Sequence, residues 1–207
     1  MKSYTITKIG QLPDWSSLPS LSLDTPYLQT QPDTRAWAQI CCDAEAFLVH
    51  MWIETPVIRA VEEGPLGMPC EDSCLEFFFQ PVAGDPRYIN MEFNSKGCLF
   101  LGMGTSLEDL IRLLPLEEVP QLFCPEIRMI PGGWEIFYRI PYRFIRQLFP
   151  AFAPQPGTQI RANCYACSDL TQPHYYLSWN PVATDSFTFH RSSCFGNMII
   201  TNNNKGE

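Results

Sequence analysis

The sequence predicts an all-β fold: an antiparallel β-sandwich, jelly-roll or immunoglobulin-like, of about ten strands with minor short helices. Three observations predict it. Apolar and polar residues alternate with period 2 in segment after segment, and no stretch sustains the 3.6 period of an amphipathic helix. Pro is frequent, at 19 residues, and charge is sparse, at 17% Asp, Glu, Lys and Arg, as expected of many short strands joined by loops. With 45% hydrophobic and 13% aromatic residues, the 207-residue chain can fill the core of one domain, residues 1–207.

Residues 3–9 alternate weakly and are expected to form a first edge strand. Residues 11–34 hold four prolines and many Ser, Thr and Asp, the composition of a long wrapping loop. Ala36 to Cys42 is a strand with Ala36, Ala38 and Ile40 on one face. The turn Asp43-Ala44-Glu45 leads into a second strand, where Phe47, Val49, Met51 and Ile53 alternate with Leu48, His50, Trp52 and Glu54. The three-residue connection makes these two a hairpin. Residues 55–71 are a loop with three prolines and two glycines, a length that is often functional.

The chain is organised around the next hairpin. In Cys74-Leu75-Glu76-Phe77-Phe78-Phe79-Gln80, Leu75, Phe77 and Phe79 share one face; Cys74, Glu76, Phe78 and Gln80 share the other. After the Pro- and Gly-containing loop 81–87, Ile89, Met91 and Phe93 alternate with Tyr88, Asn90, Glu92 and Asn94. Pairing Gln80 with Tyr88 sets Phe78 against Asn90, Glu76 against Glu92 and Cys74 against Asn94. Two carboxylates directly opposed repel each other. An arginine, a cation, a shared proton or a hydroxyl-rich ligand would relieve them, or both could simply face water.

Cys98 to Gly102 continues as a strand. Leu107 to Val119 has helical spacing in part, cut short by Pro115 and Pro120. Cys124 to Ile130 and Trp134 to Ile140 form a hairpin through Pro131-Gly132-Gly133. Pro141 to Phe149 reads as one or two helical turns with Pro at the start. Gln159 to Cys167 is a strand with Ile160, Ala162, Cys164 and Ala166 inward, and Arg161, Asn163, Tyr165 and Cys167 outward. His174 to Trp179 is extended and aromatic, residues 180–193 are an irregular loop, and Phe195 to Thr201 closes the sandwich. The tail 202–207 is expected to fray.

A formal net charge of −8 argues against nucleic acid, which needs a basic footprint, and against an anionic membrane surface. No run approaches the ~18 apolar residues of a membrane span. The start Met1-Lys2-Ser3-Tyr4-Thr5-Ile6 lacks a signal-like apolar region, and nine cysteines are an odd number. Together these point to reduced thiols in a cytoplasmic protein, or a secreted one if a leader has been removed. Cys164 and Cys167 have metal-like spacing but fall on opposite faces of a strand, which does not suit a shared tetrahedral zinc ion. No cofactor is expected; calcium is conceivable, although no dense Asp loop marks a site.

Six motifs then line up in order. They are Asp72-Ser73-Cys74-Leu75-Glu76-Phe77-Phe78; Tyr88-Ile89-Asn90-Met91-Glu92-Phe93-Asn94-Ser95-Lys96-Gly97; Trp134-Glu135 with Ile140-Pro141; Arg161-Ala162-Asn163-Cys164-Tyr165; His174-Tyr175-Tyr176-Leu177-Ser178-Trp179-Asn180-Pro181; and Phe189-His190-Arg191 before Phe195-Gly196. The set resembles the family 9-like carbohydrate-binding modules of the DOMON-like β-sandwiches, from about Ala36 to Ile200. The resemblance implies a sugar clamped between two tryptophans and held by Glu, Arg, Asn and Gln. Here the first clamp position falls near Met68-Pro69-Cys70, without an aromatic, and the second at or beside Phe189. The position expected to hold arginine on the second hairpin strand is Glu92.

If these strands share one sheet, its outer face carries His50, Trp52, Glu54, Glu76, Asn90, Glu92, Asn94, Arg161, Asn163 and Tyr165. That mixture of flat and planar polar groups suits a polyol, with Arg161 available to neutralise the glutamate pair. His174, Tyr175, Tyr176, Trp179, Phe189, His190 and Arg191 form a second aromatic cluster that could add a stacking platform, or the closing segment could plug the sandwich end with Trp179 in the core. The expected function is non-catalytic binding of a mono- or oligosaccharide, with a protein partner undefined. The alternatives are a glycoside hydrolase using Glu76 and Glu92, or an interaction domain whose sugar site has decayed.

Overall fold

The computed structural model describes residues 1–10, 12–26, 33–183 and 188–202. The strands are β1 (Ser3–Lys8), β2 (Leu21–Ser22), β3 (Thr25–Pro26), β4 (Arg35–Cys42), β5 (Ala46–Glu54), β6 (Cys74–Gln80), β7 (Tyr88–Asn94), β8 (Leu99–Gly104), β9 (Ile111–Arg112), β10 (Glu126–Ile130), β11 (Gly133–Pro141), β12 (Gln159–Ser168), β13 (Tyr175–Ser178) and β14 (Gly196–Asn202). Two short helices, α1 (Val119–Phe123) and α2 (Tyr142–Leu148), complete the fold. The frayed tail expected at 202–207 lies outside the described residues beyond Asn202.

The strands form one continuous path, β10-β11-β5-β4-β1-β14-β12-β6-β7-β8-β9, which folds over itself into two layers. Ring contacts across the interior show the layers packed together. Phe47 of β5 meets Phe79 of β6 at 6.2 Å, and Tyr138 of β11 meets Phe93 of β7 at 5.0 Å. The apolar sets read from alternation are the ones that face inward: Phe47, Val49, Met51 and Ile53 from one layer, Leu75, Phe77, Phe79, Ile89, Met91 and Phe93 from the other. Trp179 also joins this core.

The central hairpin has the expected register, with Cys74 opposite Asn94, Glu76 opposite Glu92 and Phe78 opposite Asn90. The β4–β5 and β10–β11 hairpins pair as read. The sandwich is mixed rather than purely antiparallel. β1 is not an edge strand but the seam, parallel to both β4 and β14. The long segment between β1 and β4 permits this, because parallel neighbours need a crossover too long for a hairpin turn. Within that segment Leu21 and Leu23 are buried, while residues 27–32 lie outside the described residues.

The helical spacing at Leu107–Val119 does not become a helix. The Asp109 carboxylate accepts from the backbone N–H groups of Thr105 and Ser106 at 2.8 Å each, closing a tight turn. β9 follows, and α1 begins only at Val119 with Pro120 in its first turn. Leu107, Ile111 and Leu114 stay exposed, so their spacing never had a core to face.

Gly133 opens β11 where no side chain fits. A Cβ there would lie 1.7 Å from the carbonyl oxygen of Ile53. Gly133→Ala is therefore expected to force β11 away from β5 at that end and to lower unfolding free energy by about 2 kcal/mol. A urea midpoint unchanged from the parent would contradict this.

Candidate functional site

The outer face of the β6-β7-β8-β12 layer has two halves. In one, Phe78, Tyr88 and Tyr165 are roofed by the closing segment and form a second small apolar cluster with Phe195 and Val182. Phe78 meets the Tyr165 ring edge-on at 5.0 Å, and Tyr88 meets Phe195 at 5.7 Å. The Tyr88 hydroxyl is 2.9 Å from His190 Nδ1. Burial pushes the His190 imidazole down to about 4, so it is neutral at ordinary pH.

The other half is open. Glu76, Glu92 and Cys167 floor a cleft of about 260 Å³. Met68 and Cys70 come from the loop before β6, and Phe100 from β8. Leu107 and Leu110 rise from the β8–β9 loop, and Phe189 and His190 from the closing segment. Asp169, Tyr176 and Thr188 complete the lining, the first two joined by a hydrogen bond of 2.9 Å from the tyrosine hydroxyl to the carboxylate. The walls are mostly apolar, and the polar groups are concentrated at the floor.

The two glutamates are almost fully enclosed, at 2% and 5% exposure. Burial, and then the charge of Glu92, hold the Glu76 carboxyl well above the usual carboxylate range; the Cys167 thiol, donating to Oε1 at 2.9 Å, pulls it back. Burial pushes Glu92 up to about 7, against the Asn90 amide donating to Oε1 at 2.7 Å and the nearby Arg112. A proton held on Glu76 thus relieves much of the repulsion that the register imposes. Asn90 fits because its neighbour is Gly102, where a Cβ would lie 2.3 Å from Asn90 Oδ1.

The expected residues separate into distinct places. Glu76, Glu92, Phe189 and His190 line the cleft. Tyr165 lies beneath it, stacked on Phe189 at 4.2 Å and 11°, with its hydroxyl donating to the Phe189 carbonyl at 3.2 Å. Asn94 supports the wall: its amide donates to Asp72 and to the Glu62 carbonyl, each at 2.8 Å. Asn163 is wholly buried and exchanges hydrogen bonds with the Asn180 backbone at 2.8 and 2.9 Å.

Arg161 does not meet the glutamate pair. It stands opposite Gln80, whereas Tyr165 stands opposite Glu76, a difference of four residues or about 13 Å along the strand. Its guanidinium instead donates to the Ser193 and Phe195 carbonyls at 3.2 and 2.8 Å, tying down the closing segment. Arg191 itself forms that segment's bridge to Ser106 and is not part of the cleft lining, and neither is the exposed His174, whose ring lies 5.5 Å from Tyr176.

Trp52 is on the other layer. Because β5 pairs with β4 and β11, His50, Trp52 and Glu54 do not share a sheet face with Glu76. Trp52 stacks there on Trp37 at 5.6 Å and on His50 at 4.8 Å. Several cleft residues had no distinguishing functional pattern in the sequence, among them Phe100, Leu107, Leu110 and Asp169. Phe100 alone was within reach, since it pairs with Glu92 once β8 is laid beside β7. Arg112 stacks 4.4 Å above Phe100 and donates to the carbonyls of Leu66 and Gly67, joining two walls of the cleft.

The profile of carbohydrate-binding family 9 matches residues 30–200. A crystal structure of a candidate carbohydrate-binding protein from Bacteroides uniformis ATCC 8492 superposes with a TM-score of 0.79 at 23% identity, covering 96% of this chain and 99% of that one. A family 9 carbohydrate-binding module from Caldicellulosiruptor kristjanssonii, in complex with glucose, gives 0.67 at 13% identity, covering 100% and 99%. A family 9 module from the same organism, in complex with cellotriose, gives 0.65 at 13%, covering 99% and 96%. A search of curated protein sequences finds no match.

Proposed function

Since the chain belongs to carbohydrate-binding family 9, we propose that it binds a carbohydrate, without chemical conversion, in the cleft above Glu76 and Glu92. The observation that carries this reading is the meeting of Met68, Phe189 and the glutamate pair in one cleft. Met68 and Phe189 are near the two positions to which the family resemblance points for its clamp. Phe189 offers an apolar surface braced from behind by Tyr165, and a braced ring loses little freedom when a sugar's C–H face rests on it. Protonated Glu76 and partly ionised Glu92 offer donors and acceptors for neighbouring hydroxyls.

The volume of about 260 Å³ is below the ~300–1,000 Å³ of drug-sized sites. It suits a single sugar ring or the end of a chain. The apolar walls favour a sugar with a continuous C–H face. Relatives seen with glucose and with cellotriose make β-glucans the first ligands to try.

Calorimetry or ligand-observed NMR against a panel of mono- and oligosaccharides tests the reading. At least one ligand is expected to bind with a dissociation constant below millimolar. Phe189→Ala should weaken it about tenfold, which is about 1.4 kcal/mol. Trp52→Ala, on the opposite layer, should leave it unchanged. A panel silent to millimolar concentration would remove the proposal, and glycoside hydrolysis abolished by Glu76→Gln would replace it with a catalytic one.

A further inference from the structure

The cleft floor contains two thiols that the carbohydrate reading leaves unused, beside the Glu76 carboxyl that it does use. Cys74 and Cys167 are directly opposed on β6 and β12, both on the outer face, and Glu76 lies one strand repeat from Cys74. The two thiol sulfurs and a Glu76 oxygen all lie within 4.8 Å of one another, and all three residues are buried. Cys167 Sγ is 2.9 Å from Glu76 Oε1 and 3.8 Å from the carbonyl of Cys70. All the cysteines are free thiols.

We propose that Cys74, Cys167 and Glu76 bind one borderline divalent cation of the Zn²⁺ class, with its fourth coordination position facing the cleft. Bond lengths of about 2.3 Å to sulfur and 2.0–2.2 Å to oxygen set ligand atoms about 3.3–3.8 Å apart in a tetrahedron. The present group, with its donor atoms within 4.8 Å of one another and one pair at 2.9 Å, is close to that spacing. The metal-like spacing in the sequence involved Cys164, but that thiol points into the core. Cys74, brought alongside by the β6–β12 register, takes its place.

Three features favour a cation here. The donor set is two sulfurs and one carboxylate, which suits a borderline ion and not oxygen-seeking calcium. The carboxyl groups of Glu92 and Asp169 line the same cleft beside these donors. The nearby base Arg112 is spent on the Leu66 and Gly67 carbonyls. There is also a way in, because Glu76 and Cys167 line the cleft. Loading exchanges one M²⁺ for three protons, two from thiols and one from the Glu76 carboxyl, and leaves the group with one net negative charge. No sugar need be bound.

The test uses the reduced, full-length chain freed of metal, with Co²⁺ as the spectroscopic probe. One equivalent should give thiolate-to-cobalt charge transfer and the visible bands of a tetrahedral ion, both erased by one equivalent of Zn²⁺. Cys74→Ser and Cys167→Ser should each lose the charge-transfer band. Cys124→Ser, at an exposed position away from the cleft, should keep it. Should the buried serine variants fail to fold, Glu76→Gln is expected to weaken Co²⁺ binding at least tenfold with unchanged circular dichroism. Zn²⁺ should likewise shield Cys167 from alkylation as read by peptide mass spectrometry. Absence of the bands in the folded parent, or bands that vanish with Cys124→Ser and survive Glu76→Gln, would overturn the proposal.

Discussion

Replacing Asp72 with alanine is expected to lower unfolding free energy by about 3–5 kcal/mol, the cost of leaving buried partners of a lost charge uncompensated. Asp72 is wholly buried. Its Oδ1 takes an ion pair from Arg59, and its Oδ2 accepts from Val61 N–H at 2.9 Å, Glu62 N–H at 2.8 Å and the Asn94 amide at 2.8 Å. Ser73 adds a reciprocal pair with the Arg59 backbone, at 2.9 and 3.0 Å. Two residues just before β6 thus fasten the loop that carries Met68 to the cleft. Asp72→Asn keeps an acceptor and should lose roughly half as much. Urea unfolding with an unchanged m-value measures both. Sugar affinity should fall with Asp72→Ala although the residue never touches the cleft. A loss below about 1 kcal/mol would mean that water replaces the carboxylate.

Glu92→Gln acts through pH. In the folded protein Glu92 is pushed up to about 7 from an ordinary 4.5, so between those values the native state holds a proton that the unfolded chain has released. Stability therefore falls as pH rises through this window, and the deficit above pH 7 approaches about 3 kcal/mol. Glutamine cannot ionise and can still accept from Asn90, so the variant should be more stable than the parent by that amount at pH 8 and equal to it near pH 4. His190 works in the opposite direction. Held down to about 4, it makes the native state bind fewer protons than the unfolded chain between about 4 and 6.5, so its contribution is lost as pH falls through that range. The Glu92 effect is isolated by subtracting variant from parent in chelator-treated protein. Parallel pH profiles would show that Glu92 is ionised and satisfied in the fold.

The sequence spoke clearly wherever neighbours along the chain are neighbours in space. Alternation and a Pro- and Gly-containing loop were enough to bring Glu76 opposite Glu92, and a three-residue turn was enough to join β4 and β5. It was silent where strands distant in sequence meet. Nothing local says that β4 and β14 are joined through β1, so Trp52 could not be assigned to its layer. Nothing local gives the β12–β6 register either, so Arg161 could not be kept from the glutamates. The cleft walls were hidden for a different reason. They are loop residues held by polar anchors, Asp72 on one side and Asp109 on the other, and such anchors leave no periodic trace. The same holds for Cys74 and Cys167, which only the β12–β6 pairing brings together.

The seam has a mechanical consequence. β1 and β14 lie side by side and parallel, from Ser3 beside Asn197 to Lys8 beside Asn202. Tension applied through the two ends of the chain pulls these strands past each other along their length. The rungs of the ladder are then loaded together in shear and must give way at once, where an antiparallel pair pulled open at one end would unzip rung by rung. The domain is built to yield late under a stretching force, with the cleft on β6 and β7 kept intact until that clasp fails.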